Sequence, residues 1–294
     1  MIDEETRQEI DKVVQKTLRD AGLTEPPVRV EDLLEHLELH RDFYDLEDPS
    51  ILEQLKYKVR VGRVKLVHIL GKIKLEALFF RDRNGMLVDS SLPDPKKEWA
   101  SFHEAMHKIL VWHRSFFLGD TAETLDPEYQ EILEYEANYG ASAAMFCGRV
   151  FTKEALDTIP QWSSIRDLKK RYRKSLVTTC WRYVQFSHDI PMAVMTSTPR
   201  WMAVAGNQGD GIRRFIPSGR FRKEFRPDAR QLVFKEVNSN TRMRRGGLVG
   251  EFSFELPNRN GRRHEFVAQS FFNQHYIITF LVSVEHFESI VTVM

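Results

Sequence analysis

Five residues, His103-Glu104-Ala105-Met106-His107, constrain this chain more than any other stretch. Two histidines four apart lie one above the other on one face of an α-helix, where both imidazoles can reach one metal ion. Glu104, next in sequence, would lie beside that ion. There it can take a proton from a zinc-activated water and pass it to a leaving amine. Zinc lowers the pKa of its water towards neutrality, so His-Glu-x-x-His on a helix is a mechanism as well as a pattern. A second His-Glu pair, His264-Glu265, is set aside because Ala268 stands where the second histidine would be and its surroundings read as a strand.

A catalytic zinc takes three protein ligands and keeps one position open. His113 follows His107 by six residues, the spacing of the metzincins, but that family needs a glycine between the two and here the position is Leu110. With leucine there, the helix is expected to continue and carry His113 about 240° round it. His113 is then expected to interact with the terminal carbonyls of the helix. The better third ligand is Glu134, in Glu134-Tyr135-Glu136-Ala137-Asn138. Asn138 is one turn later on the same helical face, where its amide oxygen can accept from the free ring N–H of a ligand histidine. Glu136 faces elsewhere and is the fallback ligand.

Elsewhere the pattern predicts helices over residues 5–21 and 30–39, with Pro26-Pro27 breaking the chain between them. Residues 57–70 and 75–81 are strand candidates, and Asn84-Gly85 is a hairpin signal with 86–89 returning. A long helix follows Pro93 and Pro95, with Trp99, Phe102, Met106 and Leu110 on one face. Asp126-Pro127 should start a second one, 128–146, rich in alanine. Residues 163–184 read as two helical pieces. Beyond Pro191 the stretches 193–196, 201–205, 231–237, 248–256, 265–271 and 276–283 read as β.

The motifs resemble the ImmA/IrrE family of metallopeptidases. The residues that carry the likeness are Gly85-Met86-Leu87-Val88-Asp89, the run from Trp99 through Phe102-His103-Glu104 to Leu110, and Glu134-Tyr135-Glu136-Ala137-Asn138-Tyr139-Gly140-Ala141. The match covers roughly residues 28–150. The resemblance implies His103, His107 and Glu134 as Zn2+ ligands, Glu104 as general base, and site-specific cleavage of a helix-turn-helix repressor that relieves transcription. Met106 departs from the family, where that position is usually small. Gly140-Ala141 stands where Phe-Ala is usual, a change that could compensate in the packing of the two helices. Residues 165–183 resemble the helix-turn-helix-like segment that follows the peptidase core in the family, with Ser175 capping its second helix. In some relatives the last part is a sensor-like domain.

Charge separates the two ends of the chain. Residues 1–160 hold 21 Lys+Arg against 31 Asp+Glu, and residues 161–294 hold 22 against 11. The basic half, with Arg213-Arg214 and the clusters over 220–230 and 242–245, could grip a phosphate backbone, an acidic ligand or an acidic protein face. A basic helix entering a major groove would also explain it, although a module that simply packs is the plainer reading. Two cysteines, Cys147 and Cys180, make neither a disulfide framework nor a cysteine zinc site. The polar, acidic N-terminus is unlike a secretory signal and no apolar run has spanning length, so a cytoplasmic protein without membrane contact is expected.

The expectation is therefore an α+β chain. Residues 1–160 form a mainly helical zinc-peptidase domain with a small sheet. Residues 161–190 form a helix-turn-helix-like segment, and 191–294 a β-rich, basic regulatory or sensor domain. The expected function is zinc-dependent endoproteolysis of a protein substrate, the repressor above, with a substrate strand adding to the sheet edge near 75–89. The alternative is a regulator that binds DNA or a partner through 161–294 and keeps its metal site as a structural or vestigial element.

Overall fold

A computed structural model describes residues 3–44, 77–80, 84–113, 127–186, 189–202 and 211–285. The strand expected over 57–70 lies outside them. The architecture is mixed α and β, in two compact units, Met1–Val150 and Phe151–Met294.

In the first unit, helix α1 (Glu4–Asp20) begins where the Asp3 carboxylate accepts from the Thr6 N–H at 2.8 Å, with Glu4 and Glu5 in its first turn. It buries Ile10, Val14 and Leu18, one face at helical spacing. Helix α2 (Val30–His36) stops short of the expected residue 39. Glu38, at φ 52°, turns the chain into strand β1 (His40–Tyr44). The sequence reading missed β1, because only Tyr44 of its five residues is fully buried and no alternation marks it. Strands β2 (Ala77–Phe80) and β3 (Gly85–Asp89) pair antiparallel with Phe80 opposite Gly85. Asn84, at φ 45°, leads into β3, and Gly85 already belongs to that strand. β1 joins the other side of β3 in parallel, giving the order β1-β3-β2.

The chain leaves β3 for helix α3 (Asp94–Ile109), with Pro93 at the N-cap and Pro95 inside the first turn. Helix α4 (Pro127–Met145) packs against both α3 and α1. The Asp126 cap expected for it lies outside the described residues. Phe102, Ala105 and Met106 of α3 and Ala137, Ala141 and Ala144 of α4 are buried. A Cβ on Gly140 would stand 2.9 Å from Met106 Sδ and 3.3 Å from Ile10 Cγ2. The large residue on α3 and the small one on α4 therefore compensate each other, as their departures from the family pattern suggested.

The second unit takes in helix α5 (Arg149–Leu156) from Phe151 onward. It continues with α6 (Trp162–Tyr172), α7 (Leu176–Phe186), β4 (Met192–Ser197), β5 (Ile212–Pro217), α8 (Gly219–Glu224), α9 (Ala229–Asn240), β6 (Gly247–Pro257), β7 (Arg263–Phe272) and β8 (Ile277–Ser283). The strands form one antiparallel sheet ordered β5-β4-β8-β7-β6. Two sequence expectations fail here. The stretch 231–237 is not a strand but the middle of α9, whose Ala229, Val233 and Val237 recur every four residues and pack under the sheet. Within 201–205, Trp201 and Met202 belong to a single 3-10 turn and the rest lies outside the described residues. β5, read only as a basic cluster, is a strand.

Helices cover both faces of this sheet. Phe221 of α8, Phe225 just past its end and the apolar stripe of α9 meet Ala193, Met195, Phe266, Ala268, Ile277 and Leu281 on one face. On the other, Trp162 of α6 packs on Phe271 and Phe280, and its indole N–H donates to the Gln269 carbonyl at 2.9 Å. Tyr183 of α7 meets Phe280. Coverage on both faces explains why all seven residues of β8 are buried, while edge strand β6 alternates. The tight turn between α6 and α7 puts Arg173 in the left-handed region, and Ser175 Oγ accepts from the Thr178 N–H at 3.1 Å. The described side chains of α7 are buried or half-buried, and the helix packs on α6 and on β4 and β5. Among the described residues no helix is long and apolar enough to cross a membrane.

Candidate metal centre

The site is assembled by the packing of α3 on α4. One turn apart on α3, His103 and His107 bring their Nε2 atoms to 3.1 Å from each other. Glu134 reaches in from α4, its Oε2 3.1 Å from His103 Nε2 and its Oε1 3.5 Å from His107 Nε2. The three ligand atoms lie within 4.8 Å of one another, and the group could hold a metal ion. Its size fits zinc. Bonds of about 2.0–2.1 Å in a tetrahedron put neighbouring ligand atoms roughly 3.3 Å apart, the scale seen here.

His107 is buried, His103 is mostly buried, and the Glu134 side chain is 56% exposed, so the group is open on the glutamate side. Burial opposes ionisation of Glu134. The hydrogen bonds and charges of His103 and His107 outweigh it and hold the carboxyl well below the usual range. Burial likewise works against a charged His103, but the Glu134 hydrogen bond and the Glu104 and Glu134 charges raise its pKa above the ordinary imidazole value. For His107 burial prevails, aided by the neighbouring imidazoles, and its pKa is lowered. Metal binding needs neutral imidazoles and a carboxylate, and the lowered pKa values of His107 and Glu134 both act in that direction.

Each expected residue can be located. Asn138 Oδ1 lies 3.1 Å from His103 Nδ1, the contact foreseen for holding a ligand ring. Glu104 is buried, and its charge reaches His103. Glu136, the fallback ligand, points away from the group: its Oε2 takes the Trp112 indole N–H at 2.6 Å and lies 2.9 Å from His113 Nε2. The reading of His113 needs correction. α3 does not run on past Leu110, which is extended, and residues 111–113 form a 3-10 turn. The His113 ring nitrogens meet His107 and Glu136, and it is its backbone N–H that donates to a helix-end carbonyl, that of Leu110. Fully buried, His113 sits behind His107 with the two Nδ1 atoms 2.9 Å apart. Sequence alone offered no signal for that contact, since the break depends on how residues 110–113 pack.

Among the described residues of the basic half no group of three His, Cys, Asp or Glu could hold a metal ion, and several of its arginines are engaged inside the second unit. Arg214 lies over Trp181 at 4.6 Å and Arg213 over Tyr276 at 5.1 Å, while Arg220 pairs with Glu224 and Arg263 with Glu255.

By sequence, no protein-family model and no curated protein matches the chain. Among solved structures it is similar to a Mycobacterium tuberculosis transcriptional regulator, at 14% identity and a TM-score of 0.55. That likeness covers 97% of this chain and 95% of the other, and at such identity it concerns the fold.

Proposed function

We propose that the chain is a zinc-dependent endopeptidase acting on a protein substrate, with a helix-turn-helix repressor as the expected target. The observation that carries this reading is the meeting of His103, His107 and Glu134 beside Glu104. A zinc ion held there would act as a Lewis acid on the scissile carbonyl and make water acidic near neutral pH. Glu104 would take the proton released when water attacks and deliver it to the leaving amine. The open side at Glu134 would leave room for a peptide. Among the described residues β2 is an edge strand packed beside α3, so an extended substrate could add to it by main-chain pairing.

A second reading has its own support. The solved neighbour is named a transcriptional regulator, and that name speaks to regulation and not to peptide hydrolysis. On this reading the chain would contact DNA through residues 161–294, and the metal would be structural.

One comparison separates the two. Wild type and Glu104→Gln are assayed for bound zinc and for cleavage of repressors encoded in the same genome. The peptidase reading expects equal zinc in both and hydrolysis slowed about 100- to 10,000-fold in the variant. Equal cleavage would sink the role of Glu104, and a wild type without zinc would sink the metal site. Salt-sensitive retention of duplex DNA by the full chain, with no cleavage, would favour the regulator.

A further inference from the structure

A metal ligand must offer its lone pair on the right nitrogen, and a neutral imidazole has only one. For His103 a single contact suffices. The Asn138 amide oxygen takes the proton on Nδ1 at 3.1 Å, so Nε2, which faces Glu134, is the nitrogen that would offer a lone pair to a metal ion. His107 lies deeper, and its Nδ1 meets another imidazole, which by itself could be donor or acceptor. What lies behind that second ring resolves the choice. An indole N–H only donates, so Glu136 Oε2 accepts from Trp112 at 2.6 Å. His113 Nε2, 2.9 Å from the same oxygen, then donates to it. Its Nδ1 is left as an acceptor, and the proton in the 2.9 Å contact belongs to His107 Nδ1. With His113 and His107 neutral, as metal binding requires of His107, the lone pair of His107 falls on Nε2, the nitrogen 3.1 Å from His103 Nε2 and 3.5 Å from Glu134.

We propose that Trp112, Glu136 and His113 are positioning residues that fix the tautomer and ring plane of His107 for metal binding. The relay is built for rigidity. His113 is fully buried and Glu136 nearly so. The turn that ends α3 is pinned by the His113 N–H donating to the Leu110 carbonyl at 2.9 Å. His113 and Glu136 come from different elements 23 residues apart, so the relay also ties the end of α3 to α4 behind the ligands. This gives Glu136 a place in the site although it is no ligand. The inference rests on the metal reading of His103, His107 and Glu134 and is independent of peptide hydrolysis.

The test uses the full chain, stripped of metal, as wild type, His113→Phe, Glu136→Ala, Glu136→Gln and the control His107→Ala. Zn2+ affinity is read by competition with a chromophoric chelator, and ligand geometry by the visible spectrum with Co2+. His113→Phe and Glu136→Ala are expected to weaken Zn2+ about 10- to 100-fold and alter the Co2+ spectrum. Glu136→Gln keeps an acceptor at the same reach and should recover part of the loss. In metal-free wild type, 15N NMR should find the His107 proton on Nδ1. Affinities within twofold of wild type in both His113→Phe and Glu136→Ala, with wild type binding tightly, would overturn the relay alone. A wild type that binds neither ion would overturn the metal reading and the relay together. If His113→Phe fails to fold, Glu136→Ala and the NMR assignment still decide: unchanged affinity in Glu136→Ala or a proton on His107 Nε2 would overturn the relay.

Discussion

The two units bury different things. In the first, a helix pair encloses three histidines and a glutamate that touch one another, with Glu134 at the open edge. In the second, the sheet and its helices enclose an aromatic and aliphatic core that also buries Lys174, Arg182 and His264, while Arg213, Arg214 and Arg263 lie at the surface over aromatics or paired with a glutamate. Burying polar groups costs stability unless each finds a partner, so a protein does it where chemistry or ligand binding requires it. Apolar burial carries no such demand. The group that could hold a metal ion lies in the first unit, and the second carries a basic excess, 23 Lys+Arg against 13 Asp+Glu over residues 151–294.

The sharpest way to break that contrast is to remove the metal. Zinc at about a thousand times its Kd would stabilise the state that binds it by about 4 kcal/mol. A chelator, or Glu134→Ala, is expected to abolish this. Hydrogen exchange should report faster exchange in α3 and α4 and no change in β4–β8. Loss of protection across the sheet would show that the units are not separate in this respect.

Next come paired core truncations. Phe102→Ala and Phe266→Ala each remove a fully buried ring and should each cost about 3–5 kcal/mol by denaturant titration. Only the first should weaken zinc binding, since Phe102 precedes His103 on α3. A smaller effect tests the helix contact behind the site. Gly140→Ala pushes a Cβ into Met106, an overpacking cost of about 1–3 kcal/mol. Helix propensity returns about 1 kcal/mol, leaving a net loss near 1 kcal/mol. Adding Met106→Ala should make the pair non-additive, and strict additivity would deny the contact. Least of all, Arg262→Ala breaks an exposed pair with Glu285 and should shift stability by about 0.5 kcal/mol or less, with zinc affinity unchanged.

Much of this was legible in the chain, for identifiable reasons. Local rules suffice for α1, where an Asp3 cap and an Ile10-Val14-Leu18 stripe agree. They suffice too for β6, β7 and β8, which match their expected stretches to within two residues at either end. They mislead where two periods overlap. Residues 231–237 are rich in β-branched and aromatic side chains, yet the four-residue spacing of Ala229, Val233 and Val237 governs once a sheet lies above them. β1 was invisible because pairing with β3, and not its own side chains, makes it a strand.

At the centre, the spacing of His103 and His107 on a helix by itself determined that two imidazoles share a face, because the helical repeat is local geometry. The Glu-x-x-x-Asn spacing likewise put Glu134 and Asn138 on one face of the next helix. Tertiary structure decided which glutamate turns towards the histidines and which turns towards His113, two residues apart on α4. It also decided that α3 ends at Ile109 and folds His113 back behind His107. Those choices depend on side chains far apart in sequence competing for the same buried hydrogen bonds, and no local pattern records the outcome of that competition.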